Sequence, residues 1–358
     1  MSLAVTVLKN SAVLLLFLLF ISCGTKNKEY ANNVFPYSQF PQEKELKGEV
    51  IELDTALFRY PFRTRIEGDK AIVLDLHGSD YYGHLFQYPS FRYLSSFGRR
   101  GDSPLEMLSM ENFRLHNHTL WTLDANKSEL TRLDFSSSGD SLLREETVAL
   151  DEDILRPLDF AIYNDTTFVI PDYSGESRFL KVDCKGKLIE KIGTIPTTNK
   201  KALQEARPAL AQAWRSFLDY NSHNSVLATV TQLGEVVEIY NLKDSTHVIR
   251  VGEYDEPEFK VSDGYGIPTG IMGFSDVQVT DDAIYAVFHG TSFKDIARQS
   301  GRLSDGGKYI YVFSLKGEPL CKYVLDHYIY GIWVDEVTKT IMATDVNNDQ
   351  PILKFSFG

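Results

Sequence analysis

The chain has 358 residues and a formal net charge of −12, because 49 Asp and Glu residues outnumber 37 Lys and Arg residues. This acidic balance argues against a nucleic-acid partner, since phosphate binding needs concentrated Lys and Arg. Three cysteines are too few for a disulfide scaffold, and Cys184 and Cys321 have no CxxC or His-x-x-His neighbour for a metal. We therefore expect no cofactor, and we interpret both as buried or strand cysteines.

The chain begins with the pattern of a secretory leader. One cation, Lys9, precedes an apolar run from Ala12 to Ile21, which is too short to cross a bilayer and has the length of a signal-peptide core. The run ends in FISC, which resembles the lipobox of bacterial lipoproteins, with Phe in place of the usual Leu. We predict a signal peptide over residues 1–22, a lipid on Cys23 as the only membrane attachment, and a tether over residues 23–45.

The rest of the chain, residues 46–358, contains six repeats. In each repeat a polar turn leads into four or five β-prone residues and then into an acidic or polar break. The repeats begin about 48 residues apart early in the chain and nearer 57 later, which leaves room for four short strands in each. The six units are DKAIVLDLHGSD (69–80), NHTLWTLDANKSE (117–129), DTTFVIPDYSGES (165–177), NSVLATVTQLGE (224–235), DDAIYAVFHGTS (281–292) and TKTIMATDVNND (338–349).

Further strands follow these units and reverse at tight turns. In RFLKVDCKGKLIEKIG and KYIYVFSLKGEPLCKYVL a Gly lies at the reversal, where a tight hairpin favours positive φ. Antiparallel units of four strands, repeated six times and poor in helix signals, predict an all-β fold, a six-bladed β-propeller.

The two ends of the chain are predicted to meet in the last blade. The final unit runs out of chain before its outermost strand, and LKGEVIELD (46–54) has strand alternation but no partner of its own. We expect residues 46–54 to pair with the C-terminal strand near residues 352–357, which would remove an unpaired sheet edge.

One stretch breaks the all-β pattern. Residues 199–214 have loose helical spacing of Leu, Ala and Trp, with Pro208 expected at a helix start or kink. They predict a short helical insert between blades three and four, which is either a packing element or a lid or partner helix.

Several stretches resemble the TolB-like six-bladed propeller lipoproteins common in Bacteroidetes. Residues 309–357 have that family's order of strand, Gly turn, strand, Leu-Asp and final aromatic strand, and residues 213–230 look like its fourth blade. The resemblance implies an extracytoplasmic propeller. We expect an outer-membrane lipoprotein of the cell envelope, on the periplasmic side or at the cell surface. The sequence after Cys23 lacks the acidic run that resembles a surface-export signal in such lipoproteins, which favours the periplasmic side.

The loop GRRGDSPLEM, residues 98–107, contains the adhesion tripeptide RGD. It is similar to the family's Gly-x-x-Gly-x-x-Pro-x-Glu turn, here Gly98, Gly101, Pro104 and Glu106. Glycines at a tight turn and a proline at its exit explain the stretch, with Asp102 or Ser103 bonding to turn backbone. We interpret the tripeptide as incidental.

No stretch reaches the level of a catalytic motif such as a nucleophile elbow, a Walker loop or His-Glu-x-x-His. Asp345, Asn347 and Asp349 match half of an EF-hand loop, but the sixth-position Gly and twelfth-position Glu are missing, which favours turn chemistry. His116 and His118 are expected to be two solvated histidines of a hairpin turn.

The central channel of the propeller is the predicted ligand site. Its lining should come from the strands just before the six units. Near their starts three of these strands carry an arginine, Arg63, Arg114 and Arg215, and two carry an acid, Asp159 and Asp276. Three arginines facing one axis would favour a polar or anionic ligand. The alternative is that these charges pair across the channel and only hold the blades together.

Two functions remain open from the sequence. The first is an envelope-anchored binding or scaffold propeller for a protein partner or a polar or anionic, glycan-derived ligand. The second is a propeller enzyme of the metal-dependent lactonase or polysaccharide lyase type, with its site in the channel. A mixture of Arg and Asp on the axis suits anion binding better than metal binding, so we favour the first.

Overall fold

The computed structural model describes residues 32–54, 58–298 and 304–358. The predicted signal peptide, the predicted lipidation at Cys23 and the first part of the tether lie outside the described residues. Within those ranges no helix is long and apolar enough to cross a membrane. The sheets form six blades, which confirms the predicted all-β propeller.

The strands follow the order that the repeats predicted. Three short ones come first, β1 (Val34–Pro36), β2 (Glu43–Leu46) and β3 (Glu49–Ile51). Blade one contains β4 (Pro61–Glu67), β5 (Lys70–Asp75), β6 (Tyr81–Gln87) and β7 (Arg92–Arg99). Blade two contains β8 (Met110–His116), β9 (Thr119–Asp124), β10 (Glu129–Phe135) and β11 (Leu142–Ala149). Blade three contains β12 (Ala161–Asn164), β13 (Thr167–Pro171), β14 (Phe179–Asp183) and β15 (Leu188–Ile192).

The second half of the chain continues the series. Blade four contains β16 (Ser216–Asn221), β17 (Val226–Thr231), β18 (Val236–Asn241) and β19 (Thr246–Val251). A separate hairpin, β20 (Phe259–Ser262) and β21 (Tyr265–Pro268), precedes blade five. Blade five contains β22 (Phe274–Val279), β23 (Ala283–Phe288), β24 (Gly307–Ser314) and β25 (Pro319–Ile329). Blade six contains β26 (Ile332–Asp335), β27 (Thr340–Thr344) and β28 (Ile352–Ser356).

The first strand of each blade lies innermost. The strands β4, β8, β12, β16, β22 and β26 contact one another in turn, and β26 contacts β4, so they form a closed ring around the axis. The remaining strands of each blade follow outward in chain order. The sequence assigned these same six segments to the channel.

The N-terminal segment closes the ring as predicted. Strand β3 pairs antiparallel with β28, with Val50 opposite Leu353, and supplies the fourth strand of blade six. The two preceding strands were not predicted, because they fall in the segment interpreted as a tether. Strand β1 pairs in parallel with β19 at the outer edge of blade four, and β2 pairs in parallel with β25 at the outer edge of blade five. We call residues 33–46 the strap.

Strand side chains are apolar on both faces because each blade lies between two others. In β5, Ile72 and Leu74 share a buried cluster with Phe113 of blade two, whereas Ala71 and Val73 share another with strands of blade six. Burying a side chain of this size contributes roughly 1.5 to 3 kcal/mol. The β-prone runs that mark the repeats are therefore the layers between blades.

The helical insert is present as two short helices. They are α1 (Lys200–Glu205) and α2 (Arg207–Ala213), with Pro208 in the first turn of α2, where its missing N–H has no intrahelical acceptor to lose. Leu210 and Trp214 are buried against Val251 of blade four, so the insert packs on that blade. A third helix, α3 (Phe293–Arg298), lies between β23 and β24 and was not predicted.

Candidate functional site

Four of the five predicted channel residues meet in buried ion pairs. Arg63 of blade one lies 3.1 Å from the Asp276 carboxylate of blade five, and both side chains are 1% exposed. Arg114 of blade two donates from Nη2 to Asp159 Oδ1 of blade three over 2.7 Å. The first pair joins two blades that are not neighbours and the second joins adjacent blades, so both hold blades together as the structural alternative expects.

The pairing sets the charge states of these groups. Burial opposes ionisation of Asp276, but the guanidinium groups of Arg63 and Arg65 hold the pKa of that carboxyl below its usual value. Burial also lowers the pKa of Arg63 to about 10, which still leaves it charged at neutral pH. Arg63 and Asp276 are thus both ionised in a buried layer near the axis, and a cavity of about 220 Å³ lined in part by Arg65, Arg114 and Asp219 lies beside them.

Free hydrogen-bond donors remain in that layer. Within the described ranges Nε and Nη1 of Arg63 and Nε of Arg114 are buried and have no acceptor. Arg215 lies apart from the pairs, with its side chain 38% exposed and its closest carboxylate, Glu111, 3.9 Å away. Ligand binding by the five residues stays a prediction, and the pairing provides a way to test it.

Sequence reasoning missed two members of this layer. Arg65 makes two hydrogen bonds of 3.1 Å to the two oxygens of Asp276, and Asp219 accepts the Val279 N–H over 2.8 Å. Arg65 follows Arg63 by two positions in one strand, so the alternation of strand side chains could have found it. Asp219 has no such signal.

Two pairs of a histidine and a carboxylate link blade two to its neighbours, blades one and three. His118 lies 3.2 Å from Glu67, and His116 lies 2.9 Å from Asp165. The ring of His116 is largely covered, whereas that of His118 is exposed. In the part of the chain that the structure describes, no group of three His, Cys, Asp or Glu side chains could hold a metal ion.

The RGD tripeptide lies in a packed turn after β7. Arg100 donates to the Leu76 carbonyl over 2.9 Å, and its guanidinium lies 3.9 Å from the centre of the Tyr82 ring. We expected the side chain of Asp102 or Ser103 to bond to the turn backbone. Instead the Glu106 carboxylate accepts a hydrogen bond from the Ser103 N–H. Because the arginine is already engaged, the geometry supports the turn interpretation.

A partly enclosed concave site lies away from the axis, between the strap, blade four and blade five. This tyrosine cleft has a volume of about 600 Å³. Its aromatic lining comprises Tyr37, Phe40, Tyr254, Phe288, Tyr309, Tyr311 and Tyr328. Its charged and titratable lining comprises Glu43, Glu235, Glu253, His289, Lys308 and Lys322.

The strap is fixed to blade four at the edge of the cleft. Tyr37 donates its hydroxyl proton to Glu235 Oε1 over 2.9 Å, and the Tyr254 N–H donates to Glu235 Oε2 over 3.1 Å. Burial of Glu235 raises the pKa of its carboxyl above the usual value. Both carboxylate oxygens therefore accept hydrogen bonds from the protein, and Glu235 holds the strap and Tyr254 in place at the wall of the cleft.

The two lysines of the cleft already have partners. Lys308 Nζ lies 4.7 Å from the centre of the Tyr328 ring. Lys322 Nζ lies 4.9 Å from the Tyr309 ring centre and 2.9 Å from Glu43 Oε2 of the strap. Cation–π contact and ion pairing hold these side chains against the walls.

His289 forms part of the cleft floor and is buried to all but 8%. Its Nε2 has no hydrogen-bond partner among the described residues. Burial lowers the pKa of the ring to about 4, so the histidine is neutral at pH 7. It also lines a smaller cavity of about 110 Å³ with Phe217 and Tyr330 near the channel.

The cleft was not predicted, because its walls come from segments that are distant in the chain. One signal was available. In KYIYVFSL, residues 308–315, Tyr309, Tyr311 and Phe313 occupy alternate positions of a strand and therefore share one face. The strap offered no comparable pattern.

Comparison with known proteins agrees with this architecture. An exported protein predicted in Bacteroides fragilis has the same fold, with a TM-score of 0.55, 12% identity, and coverage of 90% of this chain and 98% of that one. A member of the DUF4221 family from Bacteroides vulgatus has a TM-score of 0.54 and 10% identity, and the match covers 88% of this chain and 98% of that one. An auxiliary nutrient binding protein from Bacteroides ovatus has a TM-score of 0.52 and 10% identity, and the match covers 84% of this chain and 70% of that one. A search of curated proteins finds no match.

The family is shown by the sequence itself. A family model described as TolB-like 6-blade propeller-like matches residues 39–337, from the strap to the last blade. The match covers most of the chain, and its extent agrees with the six blades and the ring of inner strands described above. The chain therefore belongs to the TolB-like six-bladed propeller family.

Proposed function

We propose that this propeller is a binding module of the cell envelope that takes a polar, glycan-derived ligand in the tyrosine cleft. The observation that carries the proposal is the cleft itself. Small-molecule sites are concave, have volumes of roughly 300 to 1,000 Å³, and combine aromatic walls with a few polar groups. A volume of about 600 Å³ and five tyrosines fit that description.

Tyrosine is suited to this task because its ring offers apolar area and its hydroxyl offers a hydrogen bond. Tyr254 is 47% exposed and rests at its other side near Phe288, with 6.1 Å between ring centres. One part of the Tyr254 ring is therefore exposed at the cleft, while another part packs near Phe288. A sugar ring, which has an apolar C–H face and a rim of hydroxyls, matches this combination.

Two further considerations motivate the proposal. The Bacteroides ovatus neighbour is named as a nutrient binding protein, so a propeller of this shape is compatible with ligand capture, although a likeness of 10% identity extends only to the fold. The leader and the FISC sequence predict attachment to the outer membrane through a lipid on Cys23, facing the periplasm. A protein partner in the envelope is the other occupant that the sequence left open.

The test uses the mature chain without its leader, residues 24–358, and a panel of soluble oligosaccharides. Isothermal titration calorimetry should detect binding, and Tyr254→Ala should weaken it at least tenfold because the exposed ring face is lost. Tyr81→Ala is the matched control, since Tyr81 is 37% exposed on blade one and lies outside the cleft. Equal loss in both variants, or no binding of any oligosaccharide, would contradict the proposal.

The same mixtures separate binding from catalysis. A binding module leaves the oligosaccharide intact, so chromatography after overnight incubation should return only the starting material. A shortened product, or a melting temperature raised by calcium or zinc through mass action, would favour the propeller enzyme instead.

A further inference from the structure

The charges of the tyrosine cleft select among glycan-derived ligands. Three carboxylates, Glu43, Glu235 and Glu253, stand against two ammonium groups, Lys308 and Lys322, so the lining has one negative charge in excess. None of the side chains described around the cleft is an arginine. The bidentate donor that usually recognises a carboxylate or sulfate is therefore not part of this lining.

The lysines are poorly placed to compensate. Lys322 is held by Glu43 at 2.9 Å, and an incoming anion would have to compete with that carboxylate. Lys308 is held over the Tyr328 ring at 4.7 Å. Each ammonium group would have to leave an existing contact before it could neutralise a charge on the ligand.

The polar groups of the cleft that have no hydrogen-bond partner in the described structure are suited to hydrogen bonds with ligand hydroxyls. Glu253 is exposed at the cleft, and its carboxylate can accept hydrogen bonds but cannot donate them when ionised. His289 Nε2 is buried without a partner, and a buried polar atom without a partner is costly, so a ligand hydroxyl that bonds to it gains affinity. A neutral imidazole can accept at one nitrogen and donate at the other.

We infer that the tyrosine cleft takes an uncharged saccharide and discriminates against uronic acids and sulfated sugars. The inference rests on the proposed function and decides between the polar and the anionic ligand that the sequence left open. In this arrangement a pyranose ring stacks on Tyr254, its hydroxyls meet Glu253 and His289, and the excess carboxylate repels an anionic substituent.

The experiment compares matched pairs of oligosaccharides that share a linkage and differ only in a hydroxymethyl group or a carboxylate. With the mature chain at low ionic strength, calorimetry should show the neutral member of a pair binding at least about fivefold more tightly than the uronate member, the effect of one unfavourable charge contact. Added salt should narrow the difference, because exposed charges are screened.

One variant tests the cause. Glu253→Gln keeps the shape and a carbonyl acceptor but removes the charge, so the preference for the neutral member should shrink: the uronate member is no longer repelled, and the neutral member loses the charge-assisted part of its hydrogen bond. Glu190→Gln is the matched control, because Glu190 is an exposed residue of β15 on blade three and should leave both affinities unchanged.

The outcomes distinguish this inference from the proposed function. Tighter binding of the uronate member by the unchanged protein would overturn the selectivity and leave the proposed binding function standing. An equal gain of uronate affinity in Glu190→Gln would show that net charge, and not the cleft, is responsible. Failure of every neutral and acidic oligosaccharide to bind would overturn both.

Discussion

Arg114 Nη2 donates two hydrogen bonds of 2.7 Å, one to Asp159 Oδ1 of blade three and one to the Leu218 carbonyl of blade four. Asp159 also contacts blade four, because its carboxylate accepts a hydrogen bond of 3.0 Å from the Leu218 N–H. One buried ion pair thus joins three neighbouring blades. A propeller has no continuous hydrogen-bonded sheet between blades, so such contacts, together with the apolar layers, determine how the blades stand around the axis.

Removing the arginine should therefore destabilise the whole ring. Arg114→Ala leaves the Asp159 carboxylate buried without its counter-ion, and we expect a loss of roughly 3 to 5 kcal/mol in the free energy of unfolding, measured by guanidinium denaturation. Arg215→Ala is the internal control, because its 3.9 Å contact with Glu111 is partly exposed and should contribute less than about 1 kcal/mol.

The same pair of variants tests the predicted channel site. Several arginines crowded around an empty ligand site repel one another, so a ligand role predicts that Arg114→Ala leaves the melting temperature unchanged or raises it. Such a result would justify a screen of anions against the channel. Strong destabilisation would instead mean that Arg114 holds the blades together.

The N-terminal strands should differ in what they contribute. A chain truncated through Leu46 loses β1 and β2 but keeps β3, so blade six stays complete and the unfolding temperature should fall only modestly. A chain truncated through Asp54 also loses β3, which exposes the edge of β28 and opens the ring, so the transition should fall sharply and broaden. Identical thermal scans for the two truncations would contradict the closure.

The first truncation has a second consequence. It removes Tyr37, Phe40 and Glu43, which form one wall of the tyrosine cleft, and it leaves the rest of the lining in place. Oligosaccharide binding should therefore be lost in a protein that is still folded, as judged by circular dichroism. Retained binding would place the ligand elsewhere.

The sequence was informative wherever local pattern reflects local structure. The closing strand could be predicted because the last repeat lacks a strand and residues 46–54 have an unpaired alternation. The strap could not, since β1 and β2 add in parallel to outer edges and their side chains show no repeated pattern. The charged residues of the channel could be predicted because they lie in the strands that precede the repeats. Their pairing could not, since Arg63 pairs with Asp276, more than 200 residues away, and no spacing rule pairs residues on non-adjacent blades. The tyrosine cleft was not predicted because the strap forms one of its walls.

Attachment to the membrane should depend on Cys23 alone. The several acyl chains of a mature lipoprotein anchor stably, whereas a single chain holds weakly. Cys23→Ala should therefore yield a released or unprocessed protein on fractionation of the envelope, and Cys184→Ala, which changes a half-buried free thiol, should remain with the membrane. A Cys23→Ala protein that is processed and still sediments with the membrane would show that the anchor lies elsewhere.

Stability should fall as the pH drops below neutral, and His289 should account for part of the loss. Its pKa is lowered by burial to about 4, from about 6.5 for an unfolded histidine, so between these values the unfolded chain binds a proton that the folded chain does not. The stabilisation is complete above about pH 6.5 and declines toward pH 4, by at most about 3 kcal/mol. His84, whose pKa burial also lowers, acts in the same direction. His289→Gln cannot titrate, so its unfolding free energy should decline less steeply from pH 7 to pH 5 than that of the unchanged protein. Parallel curves would mean that the imidazole takes up its proton at the same pH in the folded and the unfolded chain.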